Sequence, residues 1–347
     1  MLNITSCAEL ELEPGEAKIY ITKSVDGAII LTPENVQVDK KDKKLTFAFG
    51  ISRSGRQVAE SYSVELSVDN ENVPDGTIPL KSNQYLLTTA EGEALGKNIK
   101  ISDGSVHKSI LLTLPAAVFN ENIGKKLSLN LRISNPSKYE LNENMSEVSI
   151  VADVSNFVGS YVDVTKRYLK NTSSPFSITP DSPPIASCDP YQQTPLDWIV
   201  NDVVQIHEYQ GKNFGGVDAR CYGNRNWLSA GNFDYYTSRD ILNGKIYQVV
   251  ELPEGDYRAN FEVAEARGGE GHAAFAVAKG NTLPNFTQLT ESIVNKEFTA
   301  SQPTTDFKID QSTTVSIGFI FNIPKGVQGA YAISNLTLSK RLNIFND

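Results

Sequence analysis

Hydrophobic and polar residues alternate with a period of two along most of this chain. In the first half, four segments carry an apolar residue at every second position and polar or small residues between; they are 45–51, 62–68, 127–133 and 148–154. This alternation is typical of β-strands that have one buried and one solvated face. Repeated strands with turn signals such as Asp75-Gly76 between them predict two antiparallel sheets packed face to face. We therefore expect an immunoglobulin-like sandwich.

The second half continues the pattern. The segment Leu242–Val263 contains an Asn243-Gly244 turn signal, a strand, a Pro253–Asp256 turn and a second strand, which together predict a β-hairpin. Further strands are predicted at 273–280, 315–321 and 332–340, and one short helical turn within 155–171. The whole chain is predicted to be all-β.

Composition narrows the functional classes. The net charge of −9 and the pI of about 5.1 argue against a nucleic-acid partner, which needs a basic face. No run of about eighteen apolar residues is present, so no transmembrane helix is predicted. With 40% hydrophobic and 21% charged residues, the chain has the composition of a folded globular protein.

The wording of several segments resembles a known family. The stretch NGKIYQVVELPEGDYR resembles the central hairpin of a galactose-binding-like jelly-roll module, and AKIYITKSVDG, LTFAFGISRSG and KLSLNLRISNP resemble the domain of unknown function that precedes it. Both occur in starch-utilisation-type surface glycan-binding lipoproteins of gut anaerobes. The resemblance implies an immunoglobulin-like spacer followed by a galactose-binding-like jelly roll. It also implies an oligosaccharide or polysaccharide ligand and an outer-membrane glycan transporter as a partner.

The resemblance also places the boundary between the domains. In the family, a VT-x-x-YLKN run opens the jelly roll, and Val164–Asn171 fit it, with Trp198 further along. We therefore predict a spacer domain at 8–157 and a jelly-roll domain at 158–347. The Ser- and Pro-rich stretch that follows the run is interpreted as an excursion within the second domain.

The segment Asp218–Arg239 differs from its surroundings because it mixes aromatic, amide and guanidinium side chains without periodicity. We expect it to be largely loop. Sugar rings require a flat aromatic surface beside planar donors and acceptors. The predicted ligand-binding residues are Trp227, Tyr222, Arg225, Asn224, Tyr235 and Tyr236, with Arg267 from the glycine-rich loop 265–272 that we expect to meet this segment. The alternative, in which the large aromatic residues only fill the core, stays open.

Catalytic, metal and cofactor motifs are not found in the sequence. The chain has three histidines and lacks the serine-hydrolase elbow, the zinc-protease motif and the phosphate loop. His272 is interpreted as a solvated loop residue, and no catalytic residue, metal or cofactor is predicted. A glycosidase would require two suitably spaced carboxylates, of which Glu262 and Glu265 are the nearest candidates. We expect a binding protein and not an enzyme.

The three cysteines permit two inferences. Cys188 and Cys221 lie in one predicted domain and are either bridged or free, because sequence gives no distance between them. Ile4-Thr5-Ser6-Cys7 has the form of a bacterial lipoprotein cleavage site, although the charged and apolar regions of a signal peptide do not precede it. With the resemblance, Cys7 is interpreted as a lipid anchor, the only membrane attachment that we predict. The alternative, in which Cys7 is incidental, stays open.

The predicted function is non-catalytic carbohydrate binding in a polysaccharide-utilisation system. The predicted location is the cell surface, at the outer membrane through the anchor, or the secreted fraction. The alternative from another class is a structural or adhesion protein of the surface whose C-terminal domain binds another protein.

Overall fold

The computed structural model describes residues 16–22, 28–55, 60–184, 192–218, 226–231, 239–267, 271–299, 303–325 and 329–346, except for the Arg267 side chain. The chain divides into two compact units. The first comprises Met1–Ser160 with Leu342–Asp347, and the second comprises Tyr161–Arg341. Each unit has its own hydrophobic core.

In the described part of the first unit, the strands are accompanied by one α-helical turn and two 3₁₀ turns. The strands are β1 (Lys18–Ile21), β2 (Ala28–Leu31), β3 (Gln37–Asp39), β4 (Lys44–Arg53), β5 (Tyr62–Val68), β6 (Ile78–Pro79), β7 (Leu86–Thr89), β8 (Asn98–Ile101), β9 (His107–Pro115), β10 (Lys126–Ser134), β11 (Glu140–Leu141) and β12 (Glu147–Asp153). The helical pieces are α1 (Ala116–Asn120) and the 3₁₀ turns Glu143–Met145 and Val154–Asn156.

Two sheets of the first unit enclose its core. One sheet has the order β11-β1-β4-β9-β7 and the other β2-β12-β10-β5-β8, with β3 added beside β4 and β6 beside β10. The predicted inward residues of β4 and β10 are buried, among them Phe47 and Leu129. Ser128 and Asn130 of β10, predicted to face solvent, are also buried. Thr77 explains part of this burial, because its hydroxyl donates to the Ser128 hydroxyl at 2.9 Å.

The end of the chain belongs to the first core. Phe345 is 1% exposed and packs against Phe119, with ring centroids 5.4 Å apart. Phe119 in turn packs against Phe157 at 5.1 Å. The backbone N–H of Ile344 donates to the Phe157 carbonyl at 3.1 Å, and the Lys43 ammonium donates to the Phe345 carbonyl at 2.8 Å. The last residues therefore fill a gap in the first sandwich.

The second unit has longer strands. They are β13 (Val158–Asp163), which begins in the first unit, β14 (Gln192–Gln193), β15 (Ile199–Val200), β16 (His207–Tyr209), β17 (Lys212–Phe214), β18 (Gly216–Asp218), β19 (Trp227–Gly231), β20 (Ile241–Leu252), β21 (Gly255–Arg267), β22 (His272–Lys279), β23 (Val294–Glu297), β24 (Thr304–Ile309), β25 (Thr313–Ile323) and β26 (Ala330–Asn343). The helical turn α2 (Thr165–Tyr168) and the 3₁₀ turn Phe286–Glu291 complete it. The predicted helical turn within 155–171 corresponds to α2.

Two sheets also face each other in the second unit. Their strand orders are β14-β18-β19-β26-β21-β24, with β13 beside β26, and β15-β20-β25-β22-β23. Inward residues of both sheets, such as Phe261, Phe275 and Phe319, form one aromatic cluster with centroids 5.2 to 5.7 Å apart. The all-β class and the sandwich architecture of both halves are confirmed.

The predicted hairpin in Leu242–Val263 is wrong. β20 pairs with β15 and β25, whereas β21 pairs with β24 and β26 in the opposite sheet, so Pro253–Gly255 carries the chain across the core. The Tyr257 hydroxyl donates to the Pro253 carbonyl at 2.9 Å and fixes this crossing. Asn243 is also not in a turn: it has a φ of 61° and forms a β-bulge within β20, where the register shifts between Leu242 and Gly244.

The outer face of the β20-containing sheet carries a second, smaller core. Three alanines of β22 lie on this face beside Ile320, and Leu283 and Leu289 from the following segment cover them. Residues 315–321 of β25 are therefore buried on both faces, although their alternation predicted one solvated face. The small alanine side chains allow the covering segment to approach the sheet closely.

Candidate functional site

Trp227 is the predicted ligand-binding residue whose side chain the structure describes. Tyr222, Asn224, Arg225, Tyr235 and Tyr236 lie outside the described residues, as do Cys7, Cys188 and Cys221. For Arg267, the described part is its backbone, which ends β21 and pairs with Ala330. The site is therefore built here from Trp227 and the strands around it.

Trp227 begins a strand instead of lying in a loop. Residues Trp227–Gly231 form β19, which pairs with β18 on one side and with β26 on the other. Leu228 and Ala230 are buried in the core, and Trp227 and Ser229 alternate with them on the opposite face. These five residues do alternate between the two faces of the sheet. The alternation is not evident in the sequence, because serine, alanine and glycine differ little in hydrophobicity and size. The prediction that 218–239 is largely loop is thus wrong for this central strand.

One row of side chains crosses three strands at Trp227. Asp218 of β18 pairs with Trp227, and Gln192 of β14 pairs with Asp218. Asp218 is 5% exposed and Gln192 is 6% exposed, whereas Trp227 is partly exposed and lies outside the core cluster. The row therefore places an indole, a carboxylate and an amide side by side. Neither Asp218 nor Gln192 was predicted, because they lie 9 and 35 positions from Trp227 and no local pattern marks them.

The next row of residues on the same face of the sheet consists of small residues. Gly216, Ser229 and Ala332 follow one another across β18, β19 and β26, and all three are buried. Within the described part of the chain, the Ser229 Oγ and the Gln192 Oε1 are buried without a hydrogen-bond partner. At Gly231, a Cβ atom would lie 2.6 Å from the Ala330 Cα, so glycine permits the close approach of β19 and β26.

The two halves of the predicted binding segment attach to opposite ends of β19. Residues 219–225 precede Trp227, and residues 232–238 follow Gly231, which by strand geometry is about 13 Å away. Ala330 pairs with both Gly231 and Arg267, so β19 and β21 end at the same edge. The described ends of β19 and β21 therefore lie at the same end of their sheet, and Trp227 lies at the other end of β19.

Tyr331 and His272 make side-chain contacts near the end of the second unit where β19 and β21 end. The buried Tyr331 hydroxyl donates to the Gly271 carbonyl, and burial raises the pKa of this phenol. His272 is exposed, its Nδ1 lies 3.5 Å from a Glu297 carboxylate oxygen, and its ring lies 5.8 Å from that of Phe286. His272 is solvated as predicted, but it begins β22 and does not lie in a loop. The predicted loop 265–272 is wrong at both ends, because residues 265–267 belong to β21.

The second tryptophan has a different environment. Trp198 is 6% exposed, its ring lies 6.4 Å from that of Phe319, and its indole N–H donates to the Asn171 carbonyl at 2.8 Å. The Asn171 side chain also bonds the backbone of Ser177 and Leu196. Trp198 and Asn171 therefore hold the opening segment of the second unit against its core, and the Phe176 N–H of this segment donates to the Asn226 carbonyl at 3.0 Å, directly before Trp227.

Metal and membrane features were searched over the same described residues. No group of three or more His, Cys, Asp or Glu side chains with metal-binding geometry occurs among them. No described helix is long and apolar enough to cross a membrane.

One family model matches this chain, and the matched residues lie within the second unit. A family model described as "Domain of unknown function (DUF5013)" matches residues 183–318. No curated protein matches the chain. Among solved structures, a Bacteroides ovatus protein of unknown function is 13% identical, with 92% of this chain and 98% of that chain covered and a TM-score of 0.31. The calcium-binding domain CBD12 of CALX1.1 is 10% identical (87% and 79% covered, TM-score 0.32), and TmCBM61 in complex with β-1,4-galactotriose is 14% identical (49% and 96% covered, TM-score 0.25). The family match thus includes Trp227.

Proposed function

We propose that this chain is a non-catalytic carbohydrate-binding protein whose second unit holds an oligosaccharide or polysaccharide against Trp227. The observation that carries the proposal is the contrast between the two tryptophans. Trp198 belongs to the core, whereas Trp227 is partly exposed and lies outside it. A partly exposed indole outside the core offers a flat apolar surface to a ligand.

The neighbours of Trp227 support the same ligand class. Sugars present an apolar C–H face together with a rim of hydroxyl groups, so a site needs a ring beside hydrogen-bonding groups. Asp218 and Gln192 place a carboxylate and an amide on the row of Trp227, and the Ser229 hydroxyl lies buried on the adjoining row. The buried Oε1 of Gln192 and Oγ of Ser229 have hydrogen-bonding capacity that no described residue uses.

The predicted residues in the adjoining segments would complete such a site. Tyr222, Asn224 and Arg225 come shortly before Trp227 in the chain and would add walls and donors. Tyr235 and Tyr236 follow Gly231 in the chain, and Arg267 ends β21 opposite the same residue, Ala330. A ligand that reaches from Trp227 to these residues must therefore be longer than one sugar ring. An extended glycan meets this requirement.

Replacement of Trp227 by alanine tests the proposal. We expect the loss of the stacking surface to weaken glycan binding by about 2 kcal/mol or more, roughly 30-fold in affinity. The melting temperature should change by no more than about 2 °C, because the ring supports no core. Affinity electrophoresis of the full chain against plant and host polysaccharides, after a glycan array has identified a ligand, measures the first effect, and calorimetry measures the second.

Tyr161→Ala is the matched control. Tyr161 is a partly exposed aromatic residue of the same unit whose ring lies 4.0 Å from the Arg258 guanidinium carbon, on a different part of the surface. This variant should retain the glycan. Full retention by Trp227→Ala would place the ligand elsewhere, and retention of no glycan by the unmodified chain would favour the alternative, a surface protein that binds another protein.

We further propose a location at the cell surface within a polysaccharide-utilisation system. The lipoprotein-like segment Ile4–Cys7 and the family resemblance support an outer-membrane protein anchored through Cys7. In that setting, an outer-membrane glycan transporter is the natural partner, because a captured glycan must next enter the cell.

Cys7→Ala in the full-length precursor tests the anchor. Without the thiol, no acyl chains can be attached, so the protein should move from the membrane fraction to the soluble fraction. Immunoblots of fractionated cells measure this distribution, and Cys188→Ala serves as the control. Unchanged partitioning of the Cys7 variant would exclude Cys7 as the anchor.

A further inference from the structure

A polar cavity lies at the end of the second unit away from Gly231 and Arg267. It has a volume of about 430 Å³ and is bounded by the end of β22, the segment 291–293 and the turn between β24 and β25. Its size falls within the range of roughly 300 to 1,000 Å³ that is typical of small-molecule sites. None of its lining residues contributes to the Trp227 row.

The backbone of the cavity is held firmly in place. The Gly280 N–H donates to the Thr314 carbonyl at 2.9 Å and ties β22 to β25. The Ile293 N–H donates to the Val277 carbonyl at 2.8 Å, and Leu289 is buried against the alanines of β22. These contacts fix the walls from which the polar side chains extend, so the site does not depend on an ordering step.

The charges of the cavity are balanced. Lys308 forms a 2.9 Å ion pair with Asp310, and Lys279 contributes a second ammonium. The hydrogen bond from Lys308 and the charges of Lys308 and Lys279 hold the pKa of the Asp310 carboxyl below its usual value. Glu291 supplies the second carboxylate. Two positive and two negative groups therefore line the cavity, which disfavours a strongly charged ligand of either sign.

The remaining lining groups are hydrogen-bonding side chains with capacity to spare. The Ser292 Oγ is buried and makes no hydrogen bond within the described part of the chain, and Gln311 and Thr313 add an amide and a hydroxyl. The apolar lining is limited to Ile293 and Ile309. Alternating donors and acceptors without a large apolar surface match the adjacent hydroxyl groups of a sugar better than they match an apolar ligand.

We infer that this cavity is a second saccharide site, which takes one or two neutral pyranose units between Lys279, Asp310 and Gln311. It is separate from the Trp227 row and does not depend on it. Since the described residues that line the cavity include no aromatic ring, hydrogen bonds are expected to select the ligand, and the affinity is expected to be in the millimolar range. Two sites on one unit would let a single chain hold a glycan at two points, which raises the avidity for long polymers.

Nuclear magnetic resonance on the deuterated full chain tests this inference. The probes are D-galactose, D-glucose and D-mannose, each titrated to saturation while the amide signals are followed. We expect saturable shifts for residues 279–280, 291–293 and 308–313 with at least one of these sugars. Lys279→Ala should weaken that binding by about tenfold, because one charge-assisted hydrogen bond is lost. Lys296→Ala, an exposed lysine of β23 in the same sheet, should leave it unchanged.

The other outcomes separate the two sites. Shifts that occur only around β19 would overturn this inference and leave the proposed function intact. Shifts in the cavity that persist in Trp227→Ala, while polysaccharide retention weakens, would support two separate sites. Inorganic sulfate is the counter-probe: cavity shifts with sulfate and none with any of the sugars would overturn the saccharide assignment in favour of an anion site.

Discussion

Trp198→Ala is expected to destabilise the second unit by about 3 to 5 kcal/mol, the cost of emptying a large aromatic site in a core. Trp198 is 6% exposed and lies between Phe176 and Phe319. Its loss also removes the donor that satisfies the Asn171 carbonyl. For a unit of this size, the midpoint of the thermal transition should fall by about 6 to 20 °C.

Tryptophan fluorescence can measure this effect, because both tryptophans of the chain lie in the second unit. In the Trp198 variant, Trp227 is the remaining indole, so its fluorescence during urea unfolding reports on that unit alone. Trp227→Ala is the matched control, with Trp198 as the reporter, and its midpoint should stay close to that of the unmodified chain. Equal destabilisation by the two variants would mean that Trp227 also supports the core, and the proposed site would lose its main support.

The strands could be predicted from the sequence because alternating apolar and polar residues indicate a strand with one buried face. In β4, Leu45, Phe47, Phe49 and Ile51 all face the core, as their period indicates. The same holds for the inward residues of β25. Which face of a strand is buried depends mainly on the local sequence, so one sequence is enough to predict this part of the fold.

The pairing of strands was less predictable. In Leu242–Val263, a hairpin within one sheet and a crossing between two sheets bury the same side chains, so alternation cannot distinguish them. The choice depends on β25 and β26, which lie more than 50 residues further along. Likewise, the second apolar face of β25 became buried only because 281–293 folds over Ile320.

The candidate site shows the same limit. Trp227 was selected from a local mixture of aromatic and polar residues, and the structure places it outside the core. Its row partners Gln192 and Asp218 come from other strands, and the sheet register alone brings them together. The tyrosines and arginines of the adjoining segments, with the Arg267 side chain, stay predictions for the glycan-binding experiments described above.

Phe345→Ala should destabilise the first unit by about 3 to 5 kcal/mol, although it lies within three residues of the end of the sequence. The reason is that its ring is 1% exposed and fills the core beside Phe119. Tryptophan fluorescence, which is confined to the second unit, should keep its unfolding midpoint. Calorimetry should show a second transition, that of the first unit, which tryptophan fluorescence does not detect. The midpoint of this transition should fall by about 6 to 20 °C.

Asn346→Ala is the matched control for this experiment, because the neighbouring Asn346 is exposed and its side chain accepts a single surface hydrogen bond from Lys43. It should lower the same transition by no more than about 2 °C. A Phe345 variant as stable as this control would show that the terminal segment does not contribute to the first core. A fall in the fluorescence midpoint of the Phe345 variant would instead assign the ring to the stability of the second unit. The expected pattern, a loss confined to the first unit, would mean that the first sandwich is completed only after the second has been synthesised, because the residue that fills its core follows the last strand.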